Sequence, residues 1–424
     1  MVLVHECGHF LAAKLFGVRV EIFSIGFGPR LFGRRRGHTD YRLSTLPLGG
    51  YVKMAGDNPS AERAGAPDEF LSKPRWQRTL IVLAGPVTNI LLAVLLLTGL
   101  YAVRYQKAAY LEEPARLAAV VPDSPAARAG LQPGDVVVEL QGTENPTWEY
   151  VQVETVLAGK EPLTVTIARG EERFQRLIQP ELEGPHQTGF VGWLPYDPLV
   201  VTEVQPDMPA AQAGLEVRDE IIALDGESTT LLGASHFVER IQASQESPVQ
   251  LTVQRQARTL EFEVRPRRAT WQGQPRYMLG IGIGPRLVSV RLGPVAAFKQ
   301  SLADNGRFAG LLFEFLQRLF TGRASMRALE GPIGITVLSG QAAQLGLGSL
   351  LNLMAIISMN LAVLNLLPIP ILDGGHIVFL AIEGARQRDL SLALKERVTQ
   401  MGFMLLVLLF AVVMYNDILR YIFR

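Results

Sequence analysis

Near the start of the chain, His5-Glu6-Cys7-Gly8-His9 carries a spacing that chemistry can use. Two imidazoles four residues apart stack on one face of a helix, where both reach a single metal ion. Glu6, one position after His5, is displaced sideways, so it can take a proton from a metal-activated water without being a ligand. Zinc in such a setting lowers the pKa of that water towards about 7 and polarises a scissile carbonyl. A chance match on a surface helix is the plain alternative. However, the flanks Val2-Leu3-Val4 and Phe10-Leu11-Ala12-Ala13 are apolar, and burying two histidines and a glutamate there is costly unless they serve a site. Cys7 points away from the His5/His9 face and reads as packing. As the single cysteine, it excludes an internal disulfide and any multi-cysteine zinc site.

Two histidines leave zinc short of the three protein ligands that hydrolytic sites usually supply. The candidate third ligand is Asp373, in Asn365-Leu366-Leu367-Pro368-Ile369-Pro370-Ile371-Leu372-Asp373-Gly374-Gly375-His376. An aspartate closing an uncharged stretch is a functional candidate by default. Pro368 and Pro370 break the helix before it, and Gly374-Gly375 lets the chain turn closely past it. His376 competes for the role, although a carboxylate better suits an oxygen ligand.

The elements that must bring these halves together are mostly apolar. A chain of 424 residues is too long for one ordinary domain. With 48% hydrophobic and 19% charged residues and a mean hydropathy of +0.19, it reads as a membrane protein with soluble insertions. A net charge of +1 gives no reason to expect nucleic acid as a partner. Residues 80–103, 345–367 and 398–416 are apolar runs long enough to span a bilayer, which takes about 20 residues. The opening segment has only four residues ahead of His5, about 6 Å of helix and a poor span, so an apolar run encoded upstream of Met1 is expected. Residues 1–16 lack a basic leader and a small-residue cleavage site, so they are not read as a cleavable signal peptide. Arg19, Arg30, Arg34, Arg35, Arg36, Lys73, Arg75 and Arg78 precede the first long span, and Arg386, Arg388, Lys395 and Arg397 precede the last. Both groups are expected on the cytoplasmic side, which leaves the region between 103 and 345 outside.

That outer region repeats itself. Pro122-Asp123-Ser124-Pro125-Ala126-Ala127-Arg128-Ala129-Gly130-Leu131 returns as Pro206-Asp207-Met208-Pro209-Ala210-Ala211-Gln212-Ala213-Gly214-Leu215, each followed in register by an aspartate (Asp135, Asp219) and a glycine (Gly142, Gly226). Two copies fit two small α+β domains rather than a solenoid. These residues resemble PDZ domains, in the circularly permuted form paired in bacterial membrane proteases. The resemblance places a carboxylate-binding loop late in each copy, at Gly189 and Gly192 and at Gly280 and Gly282, where free backbone N–H groups suit capture of a peptide terminus. The second copy has Arg218 where the first has Gly134, and a steric gate is the competing reading of the pair. After it, Phe298, Leu302, Phe308, Leu311, Leu312, Phe315 and Leu319 recur at helical spacing. They predict an amphipathic helix or helix pair, lying on the outer membrane surface or packing on a PDZ domain.

Taken together, the HExxH helix, the N-x-x-P-x-P-x-x-D-G-G-H segment and the paired repeats resemble the bacterial site-2 protease family over nearly the whole chain. The resemblance implies His5, His9 and Asp373 as zinc ligands, Glu6 as general base, and Asn360 and Asn365 as residues that hold substrate or stabilise an oxyanion. For the two asparagines, helix–helix hydrogen bonding is the physical alternative. Residues 18–54, with Phe23-Ser24-Ile25-Gly26-Phe27-Gly28 and Leu48-Gly49-Gly50-Tyr51-Val52-Lys53-Met54, match the family's membrane-re-entrant β-hairpin. Its edge pairs with an unwound substrate, which makes Gly49 and Gly50 substrate-binding positions. Such backbone is tolerated at membrane depth only where protein covers it or it lines a wet cavity; a cytoplasmic surface hairpin is the alternative. Cys7-Gly8 stands where the family commonly has Phe-Gly.

The expected architecture is a polytopic α-helical membrane protein with a membrane-associated β-hairpin and two extracytoplasmic α+β PDZ domains. Its parts are a first, short membrane helix at 1–17, the hairpin at 18–54, a second helix at 78–104, PDZ domains at 115–195 and 196–286, an amphipathic region at 293–342, and membrane helices at 345–384 and 397–418. The expected activity is zinc-dependent intramembrane proteolysis of single-span membrane proteins already trimmed outside. By resemblance the substrates are anti-sigma factors or remnant signal peptides, filtered by the PDZ pair. The location is the inner cell membrane, multi-pass, with the active site towards the cytoplasm; the partners are transmembrane substrates, lipid, and peptide termini at the PDZ grooves. A PDZ adaptor that has lost catalysis is the rival, opposed by the intact Glu6, His5, His9 and Asp373. A soluble zincin is contradicted by the spans.

Overall fold

The computed structural model describes residues 1–57, 65–103, 105–271 and 274–423; Arg104, the end of the expected helix 78–104, lies outside them. The chain divides into two compact units. One comprises Met1–Tyr105, Arg291–Arg318 and Leu329–Arg424, the other Gln106–Val290 and Leu319–Ala328.

The first unit is helical around one long element. Helix α1 (Val2–Leu15) carries His5 and His9 and stops at Gly17 (φ +67°), where the Val18 N–H returns to the Ala13 carbonyl at 2.8 Å, a glycine termination in the left-handed region. It packs on α2 (Arg75–Val103) through Gly8, where a Cβ would fall 2.5 Å from Thr88 Oγ1 and against the Ala84 carbonyl. Thr88 Oγ1 in turn donates to the Val4 carbonyl at 3.1 Å. Small residues at such a crossing let two backbones approach closely.

Between α1 and α2, strands β1 (Val20–Arg36) and β2 (Thr39–Met54) pair antiparallel. The pair is more than a simple hairpin. Ile22–Ile25 faces Gly50–Lys53 on one side and Asp40–Leu43 on the other, while Gly33–Arg35 faces Asp40–Arg42. Both strands bend, near Gly26 (φ +88°) and Gly49 (φ +96°), so the ribbon folds back on itself. The order across the sheet is 50–53, 22–25, 40–43, 33–36.

Helix α3 (Pro294–Phe320) packs on α2 through a buried stripe of Ala297, Ser301 and Asn305. Ser301 Oγ donates to the Val94 carbonyl at 2.8 Å and Tyr101 OH to Asp304 Oδ2 at 2.7 Å, while Phe298 and Leu302 stay exposed. The contact face is thus mostly small and polar, with Phe308 of the apolar stripe packed against the same α2-centred cluster. The expected region 293–342 ends in a separate helix, α4 (Pro332–Gln344), whose N-terminal Gly331, Ile333 and Gly334 N–H groups donate to the buried Asp417 carboxylate, each at 3.0 Å. A carboxylate there answers both unsatisfied donors and the helix dipole.

The expected helix 345–384 is in fact two, α5 (Leu347–Asn365) and α6 (Asp373–Arg386). Pro368 and Pro370 supply no N–H for a continuous ladder, and Gly374 and Gly375 sit so close to the Leu366 and Ile369 carbonyls that neither has room for a Cβ. Asp373 thus opens a helix instead of ending one. Helix α7 (Leu392–Tyr421) follows; with α2 and α5 it makes three helices, among the described residues, long and apolar enough to cross a membrane.

In the second unit the two repeats fold alike. The first builds a sheet ordered 143–144, 136–140, 163–169, 172–178 over the helix Trp148–Ala158; the second one ordered 258–264, 249–255, 220–224, 199–204, 281–284 over Thr229–Ser244. Alternating residues such as Leu163, Val165 and Ile167, or Val249, Leu251 and Val253, fill each core, as period-two burial requires. One clamp recurs. Asp135 accepts from the Gln132 N–H (2.9 Å) and from Arg169 (2.7 Å), and Asp219 from the Glu216 N–H (2.8 Å) and Arg255 (2.6 Å). Arg218 holds φ +79° where Gly134 holds φ +93°, so the second copy keeps the loop shape at a backbone cost of roughly 1–2 kcal/mol.

Candidate metal centre

One turn apart on α1, His5 and His9 are both buried, at 6% and 9% exposure, and their Nε2 atoms lie 3.1 Å from each other. Asp373, the first residue of α6, brings Oδ2 to 3.1 Å from His5 Nε2 and Oδ1 to 3.5 Å from His9 Nε2. Among the described residues these three form the one group whose ligand atoms converge, all within 4.8 Å.

The outer nitrogens decide what this convergence means. His9 Nδ1 lies 2.9 Å from the Ile81 carbonyl, which can only accept, so Nδ1 carries the proton and Nε2 presents a lone pair inward. The Asn89 amide lies 3.4 Å from His5 Nδ1, and Asn89 Oδ1 is buried without a partner. The amide nitrogen is the atom placed against the ring; turned over, the amide would accept the Nδ1–H of His5 and leave its Nε2 lone pair towards the carboxylate, as in His9. Asp373 Oδ2 is likewise buried without a hydrogen-bond partner. Three lone-pair donors held at such distances repel one another unless a cation sits among them. Two imidazoles and a carboxylate match the donor set that zinc takes, and the Ile81 carbonyl behind His9 is the kind of outer partner that fixes a ring's tautomer.

Gly85 makes room for the cluster. A Cβ there would fall 2.5 Å from His9 Cε1, 2.8 Å from His5 Cε1, and against His9 Nε2. Gly85, Asn89 and the Ile81 carbonyl belong to no motif legible in the sequence. The legible signal was an asparagine inside the uncharged run 80–103, since polar groups at such positions take a partner.

A cavity of about 970 Å³ opens beside the cluster, lined by His5, Glu6, His9 and Asp373 and also by Gly49, Gly50, Asn365 and His376. Glu6 is half-buried and lines the cavity beside Val52 of β2. Gly50 approaches it so closely that a Cβ would lie 3.4 Å from Glu6 Cγ and 2.8 Å from the Ser24 carbonyl. Asn365 Nδ2 stands 3.4 Å from His5 Nε2. Asn360, five residues earlier on α5, is half-buried but does not line the cavity, because five residues turn a helix by about 140° beyond a full turn. His376 lines the cavity outside the converging group, and Cys7 is a half-buried free thiol.

The four loop glycines of the repeats part company. Gly192 (φ +86°) and Gly280 (φ +81°) hold equivalent turns, beside which the Val191 and Leu279 carbonyls accept from the Ala126 and Ala210 N–H groups at 2.8 and 2.9 Å. In the second copy Gly280 and Gly282 border a cavity of about 240 Å³ with Phe237 and Ile241. In the first copy Gly189 lies against Thr155 and Gly159 at the end of the repeat's helix, with no room for even a Cβ.

The model of peptidase family M50 matches residues 1–409. The chain belongs to peptidase family M50. M50 peptidases are zinc-dependent metalloproteases, and the HExxH helix and Asp373 described above lie within the matched range. Among individual relatives, a protein named as a zinc metalloprotease in Neisseria meningitidis is 34% identical over 99% of this chain and 96% of its own. The regulator of sigma-E protease RseP of Salmonella typhimurium and that of Escherichia coli K12 are each 32% identical over 99% of this chain and 96% of theirs. A solved PDZ domain of an SdrC-like protein from Listeria monocytogenes is 22% identical over 21% of this chain and 88% of its own, with a TM-score of 0.19, too low to carry an argument. With three helices among the described residues long and apolar enough to cross a membrane, this M50 metalloprotease is an integral membrane protein.

Proposed function

We propose that this M50 peptidase cleaves single-span membrane proteins within the bilayer, with His5, His9 and Asp373 holding one zinc ion and Glu6 acting as general base. The observation that carries the reading is the convergence of His5 Nε2, His9 Nε2 and the Asp373 carboxylate within 4.8 Å, with the Ile81 carbonyl behind His9 Nδ1. When bound, zinc supplies a Lewis acid and lowers the pKa of water into the neutral range. Glu6, which lines the cavity beside the two histidines, takes the proton from the attacking water and passes it to the leaving amine. Asn365 places an amide N–H beside His5, where it donates to the carbonyl oxygen as charge develops. Asn360, off the cavity, is assigned to helix packing.

The substrate lies along the outer edge of the strand at 49–52. Its far side is paired to Ile22–Ile25 and its open side borders the cavity, so an unwound peptide adds there as a further strand. Gly49 and Gly50 are small because the peptide, Glu6 and the Ser24 carbonyl share that space. The proposed substrates are anti-sigma factors or remnant signal peptides, from the resemblance to site-2 proteases and the likeness to regulator of sigma-E proteases. So is placement in the inner membrane, with residues 115–195 and 196–286 as an outer PDZ pair. The open second groove and the filled first one support a terminus-binding role for the second copy and a steric one for the first.

Glu6→Gln tests the reading. Cleavage of a model transmembrane substrate is expected to fall by about 10²–10⁴-fold while zinc content stays at the wild-type level; unchanged cleavage would overturn it. His9→Ala is expected to lose the metal, and equal zinc in both proteins would refute the ligand assignment.

A further inference from the structure

The sheet edge farthest from the metal grades from apolar to cationic along its length. In its outermost run, Leu31 and Phe32 are 54% and 72% exposed, and Arg34, Arg35 and Arg36 follow, all exposed. Neighbouring cations are occupied, Arg30 at 3.2 Å and Arg42 at 3.1 Å from Asp40. By contrast, no ion pair or side-chain hydrogen bond holds Arg34, Arg35 or Arg36 among the described residues.

The packing of the first unit gives this run a depth. Arg36 pairs with Thr39, whose Oγ1 donates to the Val20 carbonyl (2.8 Å) and accepts from Lys14 Nζ (3.1 Å) at the end of α1. Phe16, at that same end, meets Trp76 in the first turn of α2 with ring centroids 5.6 Å apart. An exposed tryptophan beside Arg75 at the start of a spanning helix marks a membrane interface. Gly85, against the metal cluster, is ten residues further along α2, about 15 Å deeper. The other end of the sheet, at Phe27 and Gly49, lines the metal cavity. The sheet therefore runs from the interface down to the metal, with Phe32 level with Ile25 through their shared partner Leu43. Phe32 sits three residues, roughly 10 Å, below Arg35. Apolar side chains lie at acyl depth and guanidinium groups at phosphate depth.

We propose that this edge is a binding site for anionic phospholipids of the leaflet at the Trp76 end of α2, with Leu31 and Phe32 in the acyl region and Arg34, Arg35 and Arg36 on the headgroup phosphates. Charge complementarity selects the occupant: three unpaired cations beside exposed apolar side chains suit an anionic bilayer surface, and guanidinium forks match phosphate oxygens. The opposite edge of the same sheet is the strand at 49–52 beside Glu6. Lipid bound at one edge thereby fixes the depth at which the other edge meets substrate. The inference rests on the bilayer placement of the first unit and not on proteolysis.

The test places photoreactive benzoylphenylalanine at Phe32 in the full chain, in nanodiscs of phosphatidylcholine with phosphatidylglycerol, and identifies adducts by mass spectrometry. The phosphatidylglycerol share of the adducts is expected to exceed its share of the disc severalfold. It should fall to the disc composition in R34Q/R35Q/R36Q and persist in R34K/R35K/R36K, since each cation is worth roughly fivefold near an anionic surface. Combining the probe with Glu6→Gln must leave the lipid preference unchanged, which separates this proposal from the catalytic one. An adduct composition equal to the disc, a preference untouched by the glutamines, or the absence of lipid adducts would each overturn the site. Competition by soluble glycerophosphate would reassign it to free phosphates and overturn the lipid reading.

Discussion

Replacing Gly85 by alanine adds one methyl group to α2 at the point where both histidine rings rest on it. The new Cβ would stand 2.5 Å from His9 Cε1, against an ordinary contact of 3.4 Å or more, so the ring must retreat by the difference, about 0.9 Å. It has little freedom to do so, because its Nδ1 is tied to the Ile81 carbonyl at 2.9 Å and Gly8 already presses α1 against α2. Metal–ligand distances are held to within about 0.2 Å, so a shift several times larger removes His9 from the coordination shell. Stability should change far less: overpacking costs about 1–3 kcal/mol, and alanine returns up to about 1 kcal/mol of helix propensity over glycine. The expected result is a folded, membrane-inserted protein with zinc well below one ion per chain and cleavage reduced at least about 100-fold, as for loss of a ligand's support. Gly99→Ala, on the same helix but in open space, is the control and should retain both. Zinc is read by plasma mass spectrometry and cleavage on a model transmembrane substrate. Full zinc occupancy with wild-type cleavage in Gly85→Ala would refute the packing argument and the cluster assignment together.

Asn89→Leu removes the acceptor behind His5 while keeping the volume, and zinc affinity in chelator competition should fall by about 10–100-fold; an unchanged affinity would show that the His5 tautomer is set elsewhere. In the first repeat, burial alone would raise the Asp135 carboxyl, but the hydrogen bonds from Arg169 and the Gln132 N–H outweigh it and hold the group below its usual 3.8. A depressed folded value means the clamp's stabilisation is complete above about pH 4 and is lost as pH falls through the lowered value. Intrinsically corrected hydrogen exchange of the amides at 136–140 should therefore accelerate on acidification below about pH 4 in the wild type, and that acid step should be missing in Arg169→Leu.

Much of the chemistry was legible in one dimension, for a definite reason. HExxH acts through helical periodicity, a local property, so residue types and spacing alone place two imidazoles and a glutamate around one point. The proline- and glycine-rich segment before Asp373, the three long apolar runs and the doubled S/M-P-A-A-x-A-G-L motif are likewise local patterns that chain composition cannot hide. Even the helix break at 366–372 was implied by Pro368 and Pro370, although the residue on which α6 restarts was not.

What tertiary structure alone decided are the long-range contacts, because no local pattern encodes which carbonyl lies behind a ring. His9 meets the Ile81 carbonyl 72 residues away, and the Asn365 amide reaches His5 across 360. Gly85 is a helix-weakening residue in sequence and a vacancy for two imidazoles in space. The amphipathic stripe of α3 was legible, but that Ala297, Ser301 and Asn305, joined by Phe308, make the close contact with α2 was not, since between helices in lipid small and polar residues give the close approach. The folding-over of β1 and β2 depends on positive φ at Gly26 and Gly49, which a glycine permits but does not require. Local sequence pattern singled out His5, Glu6, His9 and Asp373 as the candidate metal site; only packing against α2 decided the spacing of the two imidazoles and the carbonyl behind His9, because contacts across tens to hundreds of residues leave no local trace.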